Sequence, residues 1–110
     1  MTIVNYKEFM EMAQIHEELP NMDGLFGKNR DGVTAAQKTF LRQLGIGTTG
    51  LKYKGQASKV ITYALTRKNN GLATPGQMRA LRKHGIQNVH CYSFVNAIKT
   101  LRQFDNFYEL

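Results

Sequence analysis

The feature that most constrains the fold of this chain is an internal repeat with a fixed offset of 40 residues. Eight identities fall between residues 34 and 61 and their counterparts without a gap: Thr34/Thr74, Gln37/Gln77, Leu41/Leu81, Arg42/Arg82, Gly45/Gly85, Ile46/Ile86, Ala57/Ala97 and Lys59/Lys99. A constant spacing indicates that one supersecondary unit occurs twice. We therefore expect repeat 1 at residues 34–71 and repeat 2 at residues 74–103.

The repeated residues predict where the first helix of each unit begins and ends. Thr34 and Thr74 are typical N-cap residues, and a glutamine three positions later completes a capping box. Gly45 and Gly85 are typical of the left-handed residue that ends a helix. Most of the repeated identities therefore predict local structure and do not point to a ligand.

A second helix is expected in each repeat, from Gly55 to Lys68 and from Ser93, an N-cap candidate, to Gln103. Helical spacing predicts these buried residues: Phe40, Leu41, Leu44, Ala57, Val60, Ile61, Ala64, Leu65, Met78, Leu81, Phe94, Ala97, Ile98 and Leu101. No stretch alternates with a period of two, so no sheet is predicted.

The N-terminal segment predicts one acidic amphipathic helix over residues 5–19, with Phe9, Met12 and Leu19 inward and Pro20 ending it. Residues 20–33 have the composition of a loop, and Leu25 and Phe26 are expected to pin it to the core. The predicted fold is all-α, an N-terminal helix plus two tandem helix-loop-helix repeats in a small bundle. At 110 residues we expect one domain, with residues 104–110 as an aromatic tail.

The charge is unevenly distributed along the chain. Residues 28–103 contain fourteen Lys or Arg against one acid, Asp31, a net charge of +13, whereas the whole chain carries +7. Such asymmetry favours a polyanionic partner, the alternative being a solvated surface that aids solubility. No apolar run is long enough for a membrane span and no signal peptide is apparent, so we expect a cytoplasmic protein without a membrane partner.

Basic side chains on the predicted solvent faces and loops of the repeats are the candidate phosphate contacts, since Lys and Arg dominate contacts to nucleic-acid backbones. They are Lys38, Arg42, Lys52, Lys54, Lys59, Arg67, Lys68, Arg79, Arg82, Lys83 and Lys99. The sequence does not distinguish DNA from RNA as the target.

The segment LATPGQMRALRKHGI, residues 72 to 86, resembles the small helical module A-T-x-x-Q-x-x-x-L-x-x-x-G. That module is similar to segments at the tails of bacterial and phage exonucleases, helicases and related nucleic-acid proteins. The resemblance implies a helical nucleic-acid-binding accessory unit, present here as two tandem copies.

An alternative hypothesis comes from the small size and basic charge of the chain. Small basic proteins of this kind resemble phage or mobile-element accessory proteins, including anti-CRISPR inhibitors. Such a protein would bind a nucleic-acid enzyme, for example a CRISPR nuclease or its ribonucleoprotein complex, and block its action. The candidate partner-binding residues are the acids that could mimic phosphates: Glu8, Glu11, Glu17 and Glu18.

Catalytic and metal chemistry find little support in the sequence. His84, His90 and Cys91 lack a fourth ligand and the spacing of a zinc site, and Cys91 is expected to be a buried small hydrophobe. The acids have no companions in the basic body, so a two-metal nuclease site is not expected. We predict a protein without enzyme activity, cofactor or metal.

Overall fold

The computed structural model describes residues 2–19 and 32–104, and these are mostly helical. In chain order the elements are β1 (Val4–Asn5), α1 (Tyr6–Met12), α2 (Ala35–Gln43), β2 (Ile46–Gly47), α3 (Lys54–Asn69), α4 (Pro75–Lys83) and α5 (Phe94–Phe104). A single 3-10 turn, Val89–Cys91, lies between α4 and α5. None of the helices in these two ranges is long and apolar enough to cross a bilayer.

Both predicted capping boxes are confirmed. The hydroxyl of Thr34 accepts from the backbone N–H of Gln37 at 3.0 Å, and Oε1 of Gln37 accepts from the N–H of Thr34 at 3.1 Å. Thr74 and Gln77 make the same two bonds at 3.1 and 2.9 Å. Because each box satisfies two N–H groups that an isolated helix start leaves without partners, α2 and α4 begin at corresponding positions.

The predicted glycine stops are confirmed as well. Gly45 and Gly85 have φ of +80° and +81°, the left-handed conformation that costs glycine least. Their N–H groups donate to the carbonyls of Arg42 and Arg82, each at 2.9 Å. These bonds satisfy carbonyls at the helix ends, so the chain turns in the same way after α2 and after α4.

The core contains most of the predicted residues, including the repeated pairs Leu41/Leu81 and Ala57/Ala97, all with no exposed surface. Two predictions are wrong. Phe40 is 38% exposed, because Leu41 beside it takes the core-facing position on α2. Phe94 is 39% exposed, because α5 begins there and its side chain lines a surface groove.

The N-terminal helix is much shorter than predicted. It ends at Met12, and Gln14 follows in a left-handed conformation with φ of +58°. The N–H groups of Gln14 and Ile15 donate to Glu11 and Met10 carbonyls, a pair of bonds that ends a helix without glycine. Ile15 and Leu19 still pack partly against the core, which explains the apolar spacing.

A small sheet that the sequence did not predict joins the N-terminus to repeat 1. β1 pairs in parallel with β2, with Val4 opposite Ile46 and Asn5 opposite Gly47. The strictly all-α prediction is wrong in this detail, because two-residue strands are too short to show alternation. The predicted loop with Leu25 and Phe26, and residues 105–110 of the tail, lie outside the described residues.

Candidate nucleic-acid interface

Among the residues that the structure describes, the basic body of the protein has no acids of its own. Residues 32–104 contain twelve Lys or Arg and no Asp or Glu. Within the described parts of the chain there are two ion pairs, and both join α4 to acids of α1. The positive charge of the repeats is therefore left mostly without counter-charges among these residues.

The α4 cations and two of the α1 acids form one mixed surface. Nη2 of Arg82 donates to Oε1 of Glu11 at 2.7 Å, and Nε of Arg79 lies 3.7 Å from Oε1 of Glu8. Arg79, Arg82, Lys83 and Glu8 line a cleft of about 610 Å³. The sequence suggests two separate surfaces, one acidic and one basic, whereas in the structure these acids and bases lie against each other.

Nine of the eleven predicted phosphate contacts are exposed, and seven of these nine form no ion pair with a described residue. These seven are Lys38, Arg42, Lys52, Lys59, Lys68, Lys83 and Lys99. Lys54 is half-buried, and its backbone carbonyl accepts from Nε2 of Gln37 at 3.0 Å. The seven exposed cations that lack an ion pair in the described chain can contact anions from solvent or from a partner.

Arg67 differs from the other predicted contacts because its guanidinium is engaged within the fold. Nη1 donates to the carbonyl of His90 and Nη2 to the carbonyl of Ala73, both at 3.2 Å. Burial lowers the pKa of Arg67 from its usual value. Nε is buried and has no hydrogen-bond partner among the described residues. Arg67 thus links the end of α3 to the segments on either side of α4.

The four predicted partner-binding acids do not share a helix face. Glu8 and Glu11 lie on α1, whereas Glu17 and Glu18 follow it in an irregular segment. The hydroxyl of Tyr63 on α3 donates to Oε2 of Glu17 at 2.6 Å. This bond raises the pKa of the Tyr63 hydroxyl and connects the segment after α1 to repeat 1.

The prediction of surface cations omitted Arg102, which is exposed on α5. Its spacing of three residues from Lys99 places the two cations on neighbouring positions of one helix face. That spacing was visible in the sequence and could have identified the residue. The exposure of Phe94 had no comparable signal.

The residues considered for metal binding do not come together. Between residues 2 and 19 and between residues 32 and 104, no three His, Cys, Asp or Glu side chains are grouped closely enough to hold a metal ion. Cys91 is exposed, so its predicted burial is wrong. The His84 ring stacks on Phe104 with ring centres 4.4 Å apart.

Comparisons of the chain with models of protein families, with curated proteins and with solved structures found no match. A functional hypothesis for this protein therefore rests on its own residues and their geometry.

Proposed function

We propose that this protein is a small nucleic-acid-binding accessory protein without enzyme activity, acting in the cytoplasm. In this proposal residues 34 to 103 are two copies of one helix-loop-helix unit within a single domain, and they present cations to a phosphate backbone. The observation that carries the proposal is the basic body itself. Its twelve cations come with no acid in residues 32–104, and only two of them pair with acids elsewhere in the described chain.

A surface of this composition suits a polyanion better than a single anionic ligand. Exposed lysines and arginines that contact phosphates release condensed counterions, and this release supplies much of the affinity for DNA and RNA. The cations lie on the helices of both proposed units and, at Lys52, in the loop of the first, so a strand could be contacted at several points. Binding of this kind positions a backbone and carries little sequence information.

Fluorescence anisotropy with labelled duplex DNA, single-stranded DNA and RNA tests the proposal. We expect binding at about 50 mM salt that weakens steeply as salt rises, with a linear relation between log affinity and log salt. Charge reversal at Arg42, which is exposed and has no described ion pair, is expected to weaken binding. The matched control is Lys7→Glu on α1, which makes the same charge change outside the basic body. Absence of binding to all three probes would refute the proposal.

The inhibitor hypothesis is the weaker alternative, because it requires the acids as a free polyanionic surface. Glu8 and Glu11 pair with arginines of α4, and Glu17 accepts from Tyr63. A pull-down from lysate with and without nuclease treatment separates the two hypotheses. Capture of protein that persists after nuclease treatment would favour a nucleic-acid enzyme as the direct partner.

A further inference from the structure

A groove of about 480 Å³, here called the inter-repeat groove, opens where the two halves of the protein meet. Its apolar lining comes from four helices and the segment before α4, and includes Leu44, Ala64, Leu72, Pro75, Phe94 and Val95. Phe94 and Val95, at the start of α5, are 39% and 55% exposed. They are two of only four large apolar side chains that are exposed in the described parts of the chain.

The inter-repeat groove is cationic at its edge. Lys68 and Arg67 line it, and no Asp or Glu is among the described residues that do so. Lys68 is exposed, whereas Arg67 is held in place by its two bonds to backbone carbonyls. The side-chain amide of Gln43, also exposed, adds a donor and an acceptor. The groove thus combines an apolar interior, one exposed aromatic ring and positive charge that has no acid beside it among the described residues.

Those features match the chemistry of an unpaired nucleotide. A base can stack on an aromatic face while its phosphate lies against a lysine, the combination that single-strand-binding proteins use. The volume falls within the range of about 300–1,000 Å³ that is usual for pockets accepting small-molecule-sized groups. A paired base stays within its helix stack, so only a single strand or a flipped nucleotide could enter.

We propose that the inter-repeat groove binds one unpaired base of a single-stranded nucleic acid against Phe94, with the adjoining phosphate at Lys68. This inference rests on the proposed nucleic-acid-binding function and adds a preference for single strands. A nucleic acid fits better than an acidic peptide because a further exposed cation, Lys99, follows Val95 of the groove by four residues and so lies on the same face of α5. A continuous phosphate backbone would meet these charges, whereas an isolated acidic side chain would meet one or two.

The test compares Phe94→Leu with Phe40→Leu in anisotropy titrations on oligothymidine and on a duplex at equal salt. Phe40 is the matched control, because it is 38% exposed on α2 and does not line the groove. We expect F94L to lower the affinity for oligothymidine about tenfold, since the stacking contribution of one base is lost, and to leave the affinity for the duplex unchanged. F40L should leave both affinities unchanged. Circular dichroism melts check that each variant is folded.

Lys68→Gln provides a second readout that leaves the packing of the groove intact. It should reduce the affinity for oligothymidine more than the affinity for the duplex. If the wild type binds nucleic acid but F94L behaves like F40L and K68Q affects both probes equally, the inference is refuted and the proposed function stands. A wild type that binds neither probe refutes both. If an aspartate-rich aromatic peptide binds with sensitivity to F94L while oligothymidine binding does not change, the groove is a peptide site and the inference is wrong.

Discussion

Nε2 of Gln77 donates to the backbone carbonyl of Phe94 at 3.4 Å, so the glutamine that completes the capping box of α4 also binds the first residue of α5. Forty positions earlier, Nε2 of Gln37 donates to the carbonyl of Lys54, the first residue of α3, at 3.0 Å. Each glutamine therefore connects two helix starts, 17 positions apart in sequence. Capping alone does not require this second bond, and it gives a reason for glutamine at these positions.

We expect Gln77→Ala to lower the free energy of unfolding by about 2–3 kcal/mol, because the partly buried carbonyl of Phe94 and N–H group of Thr74 lose their partner. Gln77 is only 1% exposed, so water cannot replace the lost bonds. Gln37→Ala is the matched control at the half-buried equivalent position, where we expect about 1 kcal/mol. Urea denaturation measures both values. Equal losses would show that burial of the glutamine is not the reason for its contribution.

Gly85→Ala should destabilise the protein by about 1–2 kcal/mol through its backbone conformation alone. The φ of Gly85 is +81°, and an added Cβ would meet no atom within 4 Å. Gly76→Ala, inside α4, is the control. There the nearest atom to an added Cβ is Cβ of Thr2 at 3.6 Å, and we expect a gain of about 0.5–1 kcal/mol. Thermal melts of both variants measure these changes in stability. An unchanged melting temperature for G85A would contradict the role of this glycine in ending α4.

Glu11→Gln should increase affinity for nucleic acid, because it releases Arg82 from its ion pair. The exposed pair is worth at most about 1 kcal/mol, so the expected gain is up to about fivefold. Glu18→Gln makes the same change of charge at an exposed residue that has no ion pair within the described chain. Anisotropy titrations should show the larger gain for E11Q, and equal gains would mean that only net charge matters.

Lys59 and Lys99 are exposed lysines separated by the 40-residue offset, and we expect both to contact phosphates. The double variant K59Q/K99Q should then reduce the slope of log affinity against log salt by about 2 on duplex DNA, roughly 0.9 for each lost contact. Salt titrations of the variant and the wild type measure this slope. A weaker affinity with an unchanged slope would show that these lysines do not contact phosphates.

Tyr63 should ionise at a higher pH than an ordinary tyrosine, chiefly because its hydroxyl donates to Glu17. The bond stabilises the fold fully below the unfolded pKa of about 10 and is lost as pH rises through the raised pKa. Absorbance titrations of the wild type minus Tyr63→Phe isolate this residue. The same pair of titrations in a Glu17→Gln background should give a lower pKa for Tyr63. An unchanged pKa would show that the hydrogen bond to Glu17 does not cause the shift.

The starts and ends of α2 and α4 could be predicted from the sequence because their signals are local. Thr34, Gln37 and Gly45 act within one or two turns of their own helix, and such short-range chemistry can be read directly from residue order. The exposed lysines were predictable for a similar reason, because solvent faces of helices follow the helical period.

The remaining features depend on partners that are distant in the sequence. The end of α1 at Met12 relies on Gln14 in a conformation that residue types other than glycine seldom adopt. The pairing of Arg82 with Glu11 joins residues 71 positions apart, and neither partner carries a local signal of the other. The exposure of Phe94 depends on where the surrounding helices end, which no helical periodicity indicates.

The pairing of Val4 with Ile46 has a consequence for the order in which the protein assembles. The two strands lie 42 positions apart in the sequence. The hydrogen bonds from Gln37 to Lys54 and from Gln77 to Phe94 each close a loop of only 17 positions. A longer loop costs more conformational entropy to close, and distant contacts tend to form late in folding. The edge that receives β1 exists only after α2 has ended at Gly45. We therefore expect each helical pair to form from its own residues before the N-terminal strand docks onto the turn that follows α2.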